Sequence, residues 1–165
     1  MTTIRSDALV VFGVTGDLAH KMIFPALYAM AKRGTLKVPI VGVALSKWSL
    51  KDLRKRIADS IKQSGKIDNR AALDQLLSLF SYVSGDYKDP DTFTALKNAL
   101  GKARRPAHYL AIPPALFETV INGLGTSKLA ENARVIIEKP FGRDLASARK
   151  LNRAAQVFFP EDSIF

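Results

Sequence analysis

The chain has 165 residues, a formal net charge of +10 and an apolar content of 47%. That length suits one domain with a sizeable core, and no apolar run approaches the roughly 20 residues needed to cross a bilayer. Cysteine is absent and the two histidines are His20 and His108, which excludes disulfides, thiolate metal sites and a cysteine nucleophile and leaves no basis for a histidine-rich zinc site. The first apolar run, residues 8–14, leads into a glycine turn and reads as a buried strand rather than a signal peptide, so the cytoplasm is the expected compartment. The charge has three readings. Its lysines and arginines are solvated helix faces in a piece of a longer, more acidic protein, or they attract phosphorylated ligands, or they contact nucleic acid.

Apolar runs alternate with helical patterns, the signature of βαβ units. The expected fold class is α/β, a Rossmann-like doubly wound, mainly parallel sheet with helices on both faces, and residues 1–165 form one dinucleotide-binding domain. Residues 7–13 read as the first strand. A helix follows over 17–33 with Leu18, Met22, Leu27 and Met30 on its apolar side, and Gly34 ends it. Residues 39–45 form the second strand, entered through Pro39. Ser49 caps a helix to about residue 64, whose Lys51, Arg54, Lys55, Arg56 and Lys62 mostly face away from Leu53, Ile57 and Ile61. A helix over 69–80 and a short strand over 80–84 come next. Asp89 then caps a helix with Pro90 at its first position, ending near Gly101. Residues 107–112 form a strand, and Pro113-Pro114 lead into a helix to about residue 124. Residues 134–138 form a buried strand, and Asp144 caps a last helix to about residue 157.

Two motifs carry chemistry. Gly13-Val14-Thr15-Gly16-Asp17-Leu18-Ala19 is a strand-to-helix turn whose two glycines let the backbone approach a phosphate, with free N–H groups and the helix dipole behind it. Ala19 takes the third small position, although the spacing departs from strict G-x-G-x-x-G. At the end of the second strand, Val43-Ala44-Leu45-Ser46-Lys47 lacks the acidic residue that holds ribose hydroxyls in NAD sites. Ser46 and Lys47 are suited to a 2′-phosphate, which favours NADP, with NAD the other possibility; Lys47 serves equally well as a plain surface lysine.

Further down the chain, Tyr109 to Pro114 and Glu138-Lys139-Pro140 end strands at the sheet's carboxyl edge, where ligands of such sheets bind. Lys139 suits a substrate hydroxyl or phosphate, or else an ion pair. His20 falls in the first turn of the phosphate-proximal helix and is expected to be solvent-exposed. His108 is expected in the core or at its rim. Asp86, Asp89 and Asp91 lack calcium-loop spacing, and no metal site is expected.

With these residues assembled, the chain resembles the N-terminal coenzyme domain of the glucose-6-phosphate dehydrogenase family from about residue 9 to its end. The most specific element is Ile137-Glu138-Lys139-Pro140-Phe141-Gly142-Arg143-Asp144-Leu145. Gly13 to Ala19, Tyr82-Val83-Ser84-Gly85-Asp86-Tyr87 and Tyr109 to Pro114 add support in the same order. The resemblance implies oxidation of glucose 6-phosphate at C1 to the 6-phosphogluconolactone, with hydride passing to NADP⁺, the first step of the oxidative pentose phosphate pathway. It implies that Gly13, Thr15, Gly16 and Asp17 lie against coenzyme, with Val14, Leu18, Tyr87, Tyr109 and Ala111 close by. Lys139 would contact both nicotinamide and sugar.

Three departures bear on function. Leu45 stands where the family usually has an arginine for the 2′-phosphate. Met22 stands where it commonly has a sugar-phosphate lysine, and the adjacent Lys21 points about 100° away on a helix. The family's aspartate–histidine motif, general-base histidine and substrate domain would follow Phe165. No catalytic residue is therefore expected here, and the piece is expected to be inactive alone and monomeric, whereas the family's full-length members are homo-oligomers. Two other readings are a different two-domain NAD(P)-dependent sugar oxidoreductase and, without a recognised motif, a basic nucleic-acid or interaction module.

Overall fold

A computed structural model of the chain describes residues 5–137 and 145–165. Five strands form one all-parallel sheet in the order β3-β2-β1-β4-β5. They are β1 (Ala8–Phe12), β2 (Ile40–Ala44), β3 (Phe80–Ser84), β4 (Pro106–Leu110) and β5 (Arg134–Ile137). The helices are α1 (Phe24–Lys32), α2 (Leu50–Ser64), α3 (Arg70–Leu79), α4 (Pro90–Leu100), α5 (Phe117–Thr126) and α6 (Leu145–Phe158). A π-helical turn, Ala19–Ile23, precedes α1.

Local chemistry explains most boundaries. Gly34 takes a φ of +72° just past α1, a backbone conformation that costs glycine little. Ser49 and Asp52 form a reciprocal capping box at the start of α2. The Asn69 side chain caps α3, and Asp89 with Pro90 opens α4. The Pro113-Pro114 exit from β4 makes a single 3₁₀ turn, Pro114–Leu116, before α5. The expected helix there therefore begins later, because the first proline holds an extended conformation. The expected Asp144 cap lies outside the described residues.

Two apolar layers flank the sheet. On one face Val11, Val14, Ile40 and Phe80 pack with Phe24, Leu27, Leu53, Ile57, Leu73 and Leu76 from α1, α2 and α3. On the other, Val10, Phe12, Val43, Leu110 and Val135 pack with Phe93, Leu96, Val120, Leu124 and Ala155 from α4, α5 and α6. Each such fully buried Phe, Leu, Ile or Val contributes about 1.5–3 kcal/mol. His108 lies wholly inside the second layer beside Phe12, ring centroids 6.0 Å apart.

The first layer stops short of the sheet's full width. Ala107 and Tyr109 of β4 face a groove of about 490 Å³, walled on the other side by Leu18, Met22, Ala26 and Met30. The expected apolar stripe of the first helix therefore divides. Leu27 is buried, Leu18 and Met30 are half-buried, and Met22 is 64% exposed. The stripe fully buried with Leu27 is Ala19, Ile23, Phe24 and Ala31. Beyond α6 the chain returns to the sheet. Phe165 donates to Val135 O and accepts from Ile137 N–H, both at 2.8 Å, which sets a short parallel pairing beside β5.

Candidate coenzyme site

The turn after β1 lies where the strand order reverses. β1 continues into α1 on one face and β4 into α5 on the other, and a crevice opens at the carboxyl ends of such a pair. Gly13 has φ +80°, and a Cβ there would lie 2.1 Å from the Ala111 carbonyl oxygen. Both the conformation and the close approach to β4 thus demand glycine. Its N–H bonds Val43 O at 2.8 Å and the Tyr87 hydroxyl oxygen at 2.9 Å. Ala111 N–H donates to Phe12 O at 3.0 Å, which closes the β1–β4 seam. Val14 turns inward, wholly buried, its methyls against Gly42, so its side chain packs and does not line a site. Gly16 is exposed and folds back on the Gly13 carbonyl at 3.0 Å.

The end of β2 meets this turn. Thr15 Oγ1 and Ser46 Oγ are 3.0 Å apart, so the two polar positions singled out in separate motifs touch. Leu45 is 68% exposed and Lys47 is exposed. Two tyrosines fasten this region from β3 and the loop after it. The Tyr82 hydroxyl donates to the Ser46 carbonyl, and lies 3.4 Å from the Ala44 carbonyl. The Tyr87 hydroxyl donates to Val43 O at 3.2 Å while accepting from Gly13. Burial pushes the Tyr87 hydroxyl up to about 12, and raises Tyr82 as well, so both stay neutral donors. Tyr87 was legible as a site residue through resemblance only; Tyr82 was not singled out as a site residue. An aromatic hydroxyl in a strand gives no sequence signal of which carbonyl it will reach.

The helix start is held by α2. Asp17 is exposed and pairs with Arg56 at 3.9 Å. Leu18 is half-buried against the α1–α3 layer. Contrary to expectation, His20 is not solvent-facing: it is half-buried, with Nε2 2.9 Å from Gln63 Oε1. The Phe24 N–H, which a regular helix would aim at His20, reaches back to Ala19 O. The next residue is Pro25, which has no N–H. Ser60, only 1% exposed, supplies the missing donor by bonding the His20 carbonyl.

Tyr109 pairs in register with Val11 and turns its half-buried ring into the open groove beside Leu18 and Met22. It therefore lies on the α1 side of the crevice rather than over the glycine turn. Met22 faces the same groove. Lys139 and the whole run 138–144 lie outside the described residues. The structure thus brings Gly13, Thr15, Gly16, Ser46, Tyr87 and Ala111 into one neighbourhood, with Asp17 at its rim.

A glycine turn at a topological switch point, free of side chains and backed by a helix N-terminus, defines a dinucleotide-binding α/β domain. Residues 10–165 match the family described as "Glucose-6-phosphate dehydrogenase, NAD binding domain". The chain belongs to that family. It is 45% identical over 159 residues to glucose-6-phosphate 1-dehydrogenase 1 of Mycobacterium bovis, covering 96% of this chain and 34% of the relative. It is 36% identical over 174 residues to the glucose-6-phosphate 1-dehydrogenase of Saccharomyces cerevisiae, covering 98% and 34%. The crystal structure of glucose-6-phosphate 1-dehydrogenase from Mycobacterium avium superposes with a TM-score of 0.92 at 44% identity, over 96% of this chain and 35% of that one. A glucose-6-phosphate dehydrogenase solved in complex with its substrate gives 0.88 at 33% identity, over 99% and 37%. The chain spans about a third of the length of these relatives. No helix among the described residues is long and apolar enough to cross a membrane.

Proposed function

We propose that this chain is the coenzyme-binding domain, over residues 1–165, of an NADP⁺-dependent glucose-6-phosphate 1-dehydrogenase. The observation that carries the reading is the Gly13 turn. It is pressed against the Ala111 carbonyl so closely that no side chain fits, which fixes a tight strand-to-helix turn at the switch point, the geometry a pyrophosphate cradle needs. Gly13, Val14, Thr15, Gly16, Asp17 and Leu18 would border the pyrophosphate side, the glycines by allowing close backbone approach and the helix start through its dipole. Ser46 and Lys47, with no carboxylate beside them, suit a 2′-phosphate better than a free ribose hydroxyl. Tyr87, Tyr109 and Ala111 would frame the coenzyme, and Lys139 would reach both nicotinamide and sugar phosphate.

NADP⁺ supplies the hydride acceptor when bound. The chain's described residues would bind and orient the coenzyme; neither of its histidines is placed to act as a general base. His108 is sealed in the core and His20 is bonded to Gln63, so neither can take the C1 hydroxyl proton as a base must. Coenzyme binding without turnover of glucose 6-phosphate, by a monomer, is the behaviour expected of these 165 residues.

Calorimetric titration with NADP⁺ and with NAD⁺ tests the reading. Preferential binding of NADP⁺ is expected. Binding of neither coenzyme would remove it, and tighter binding of NAD⁺ would overturn the coenzyme assignment.

A further inference from the structure

The end of β2 presents no charge at position 45. Leu45 is apolar and 68% exposed, so recognition of a 2′-phosphate must come from Thr15, Ser46 and Lys47. Two hydroxyls are weak anion ligands unless they are fixed in place, because ordering a loop on binding costs affinity. Here they are fixed. The Ser46 side chain meets Thr15 at 3.0 Å, and the Ser46 backbone is held from below by Tyr82 on β3. In the hydroxyl pair one group donates to the other, which leaves the acceptor's own proton free for an outside anion. The chain of contacts runs from β3 to the loop after β2 and on to the glycine turn. It sets the spacing between the two segments that would bracket the adenosine ribose.

We infer that Tyr82 is a positioning residue for 2′-phosphate selectivity, acting through the Ser46 carbonyl on the Thr15–Ser46 hydroxyl pair. The inference rests on the coenzyme reading above and adds a residue to it. The Tyr82 hydroxyl bonds backbone carbonyls of the loop after β2, so its effect would be exerted through that loop. Its ring packs against the α1–α3 layer, so Tyr82→Phe keeps the packing and removes the hydroxyl's bonds, of which the one to the Ser46 carbonyl is the shorter. Tyr87 fastens different groups, Gly13 and Val43. Its loss would disturb the turn shared by every adenine dinucleotide.

The test uses the chain with two probes, 2′,5′-ADP and 5′-AMP, which differ in the 2′-phosphate. Tyr82→Phe is expected to weaken 2′,5′-ADP binding about five- to tenfold, the size of one hydrogen bond, while 5′-AMP changes less than about twofold. Ser46→Ala, a change outside the helices and strands, should give the same selective loss. Tyr82→Phe placed on Ser46→Ala should then add little, as a double-mutant cycle reads coupling. Equal losses for both probes would mean that Tyr82 only supports the fold, and additive losses would mean that it does not act through Ser46. If the parent chain binds neither probe, the coenzyme reading fails, and the inference fails with it.

Discussion

The two faces of this sheet are built from the same kind of material and do different jobs. The α4–α6 face is closed around His108: its apolar layer runs from Val83 on β3 to Ile137 on β5, with recesses between its helices beside Phe93 and Gly123 and beside α6 at Ala155. The α1–α3 face is closed over β1, β2 and β3 but leaves Ala107 and Tyr109 of β4 facing a groove. The closed face supplies stability. The half-open face supplies surface at the crevice, and it carries Met22 in its groove. Changes on the closed face should therefore read out in stability, and changes on the open side should not.

The largest effect is expected where the two faces share a seam. Gly13→Ala would drive a methyl into the Ala111 carbonyl while holding alanine at φ +80°. A loss of about 3 kcal/mol or more is expected in urea denaturation, together with loss of coenzyme binding. A stable variant would show that the β1–β4 seam can open.

The next effect belongs to the closed face alone. His108 Nε2 donates to Leu129 O at 2.9 Å, and its buried Nδ1 has no partner among the described residues, as suits a neutral ring. Burial pulls its pKa down from 6.5 to about 4. As pH falls the unfolded chain takes up this proton first. The contribution is complete above about pH 6.5 and is lost as pH falls toward about 4, up to roughly 3 kcal/mol in all. Replacing His108 by glutamine should flatten the stability–pH curve in that window; an unchanged slope would assign the acid sensitivity to other groups.

Ser60→Ala removes the donor to the His20 carbonyl on the covered half of the other face. A cost of about 1–2 kcal/mol is expected, because the partner is left unsatisfied near the core. Smallest of all is Met22→Lys in the open groove, where stability should stay within about 0.5 kcal/mol. A large loss there would mean that the groove is not open, and the contrast between the faces would collapse.

Much of this architecture was legible in the residues. Gly34, Ser49, Asn69, Asp89 and Pro90 announce helix ends through their own backbone chemistry, and strand runs such as 80–84 follow from apolar patterning. The glycine turn could be read because its glycines have a local reason to exist. Long-range closure could not be read. Leu18, Met22 and Met30 show that one side of a helix is apolar, but periodicity does not say whether another element covers it. His20 finds Gln63, Ser60 finds His20 and Tyr82 finds Ser46 across separations of 43, 40 and 36 residues, and no spacing rule predicts such pairs. The motif that spoke loudest in sequence, residues 137–145, lies almost wholly outside the described residues.

The π turn ahead of α1 has a consequence for register. A π turn spends one residue more than an α turn to cover the same helical advance. The segment Ala19–Ile23 therefore stores what amounts to a single-residue insertion, absorbed without moving Phe24, Leu27 or Ala31 out of the core. Pro25 and Ser60 act together to keep that extra residue in place. Removing one residue between 19 and 23, with Pro25 replaced by a residue that can donate, would restore an ordinary helix beneath an unchanged core and rotate Asp17 and Leu18 about 100° relative to it. The orientation of the turn after β1 can thus be re-indexed against the scaffold by a single residue.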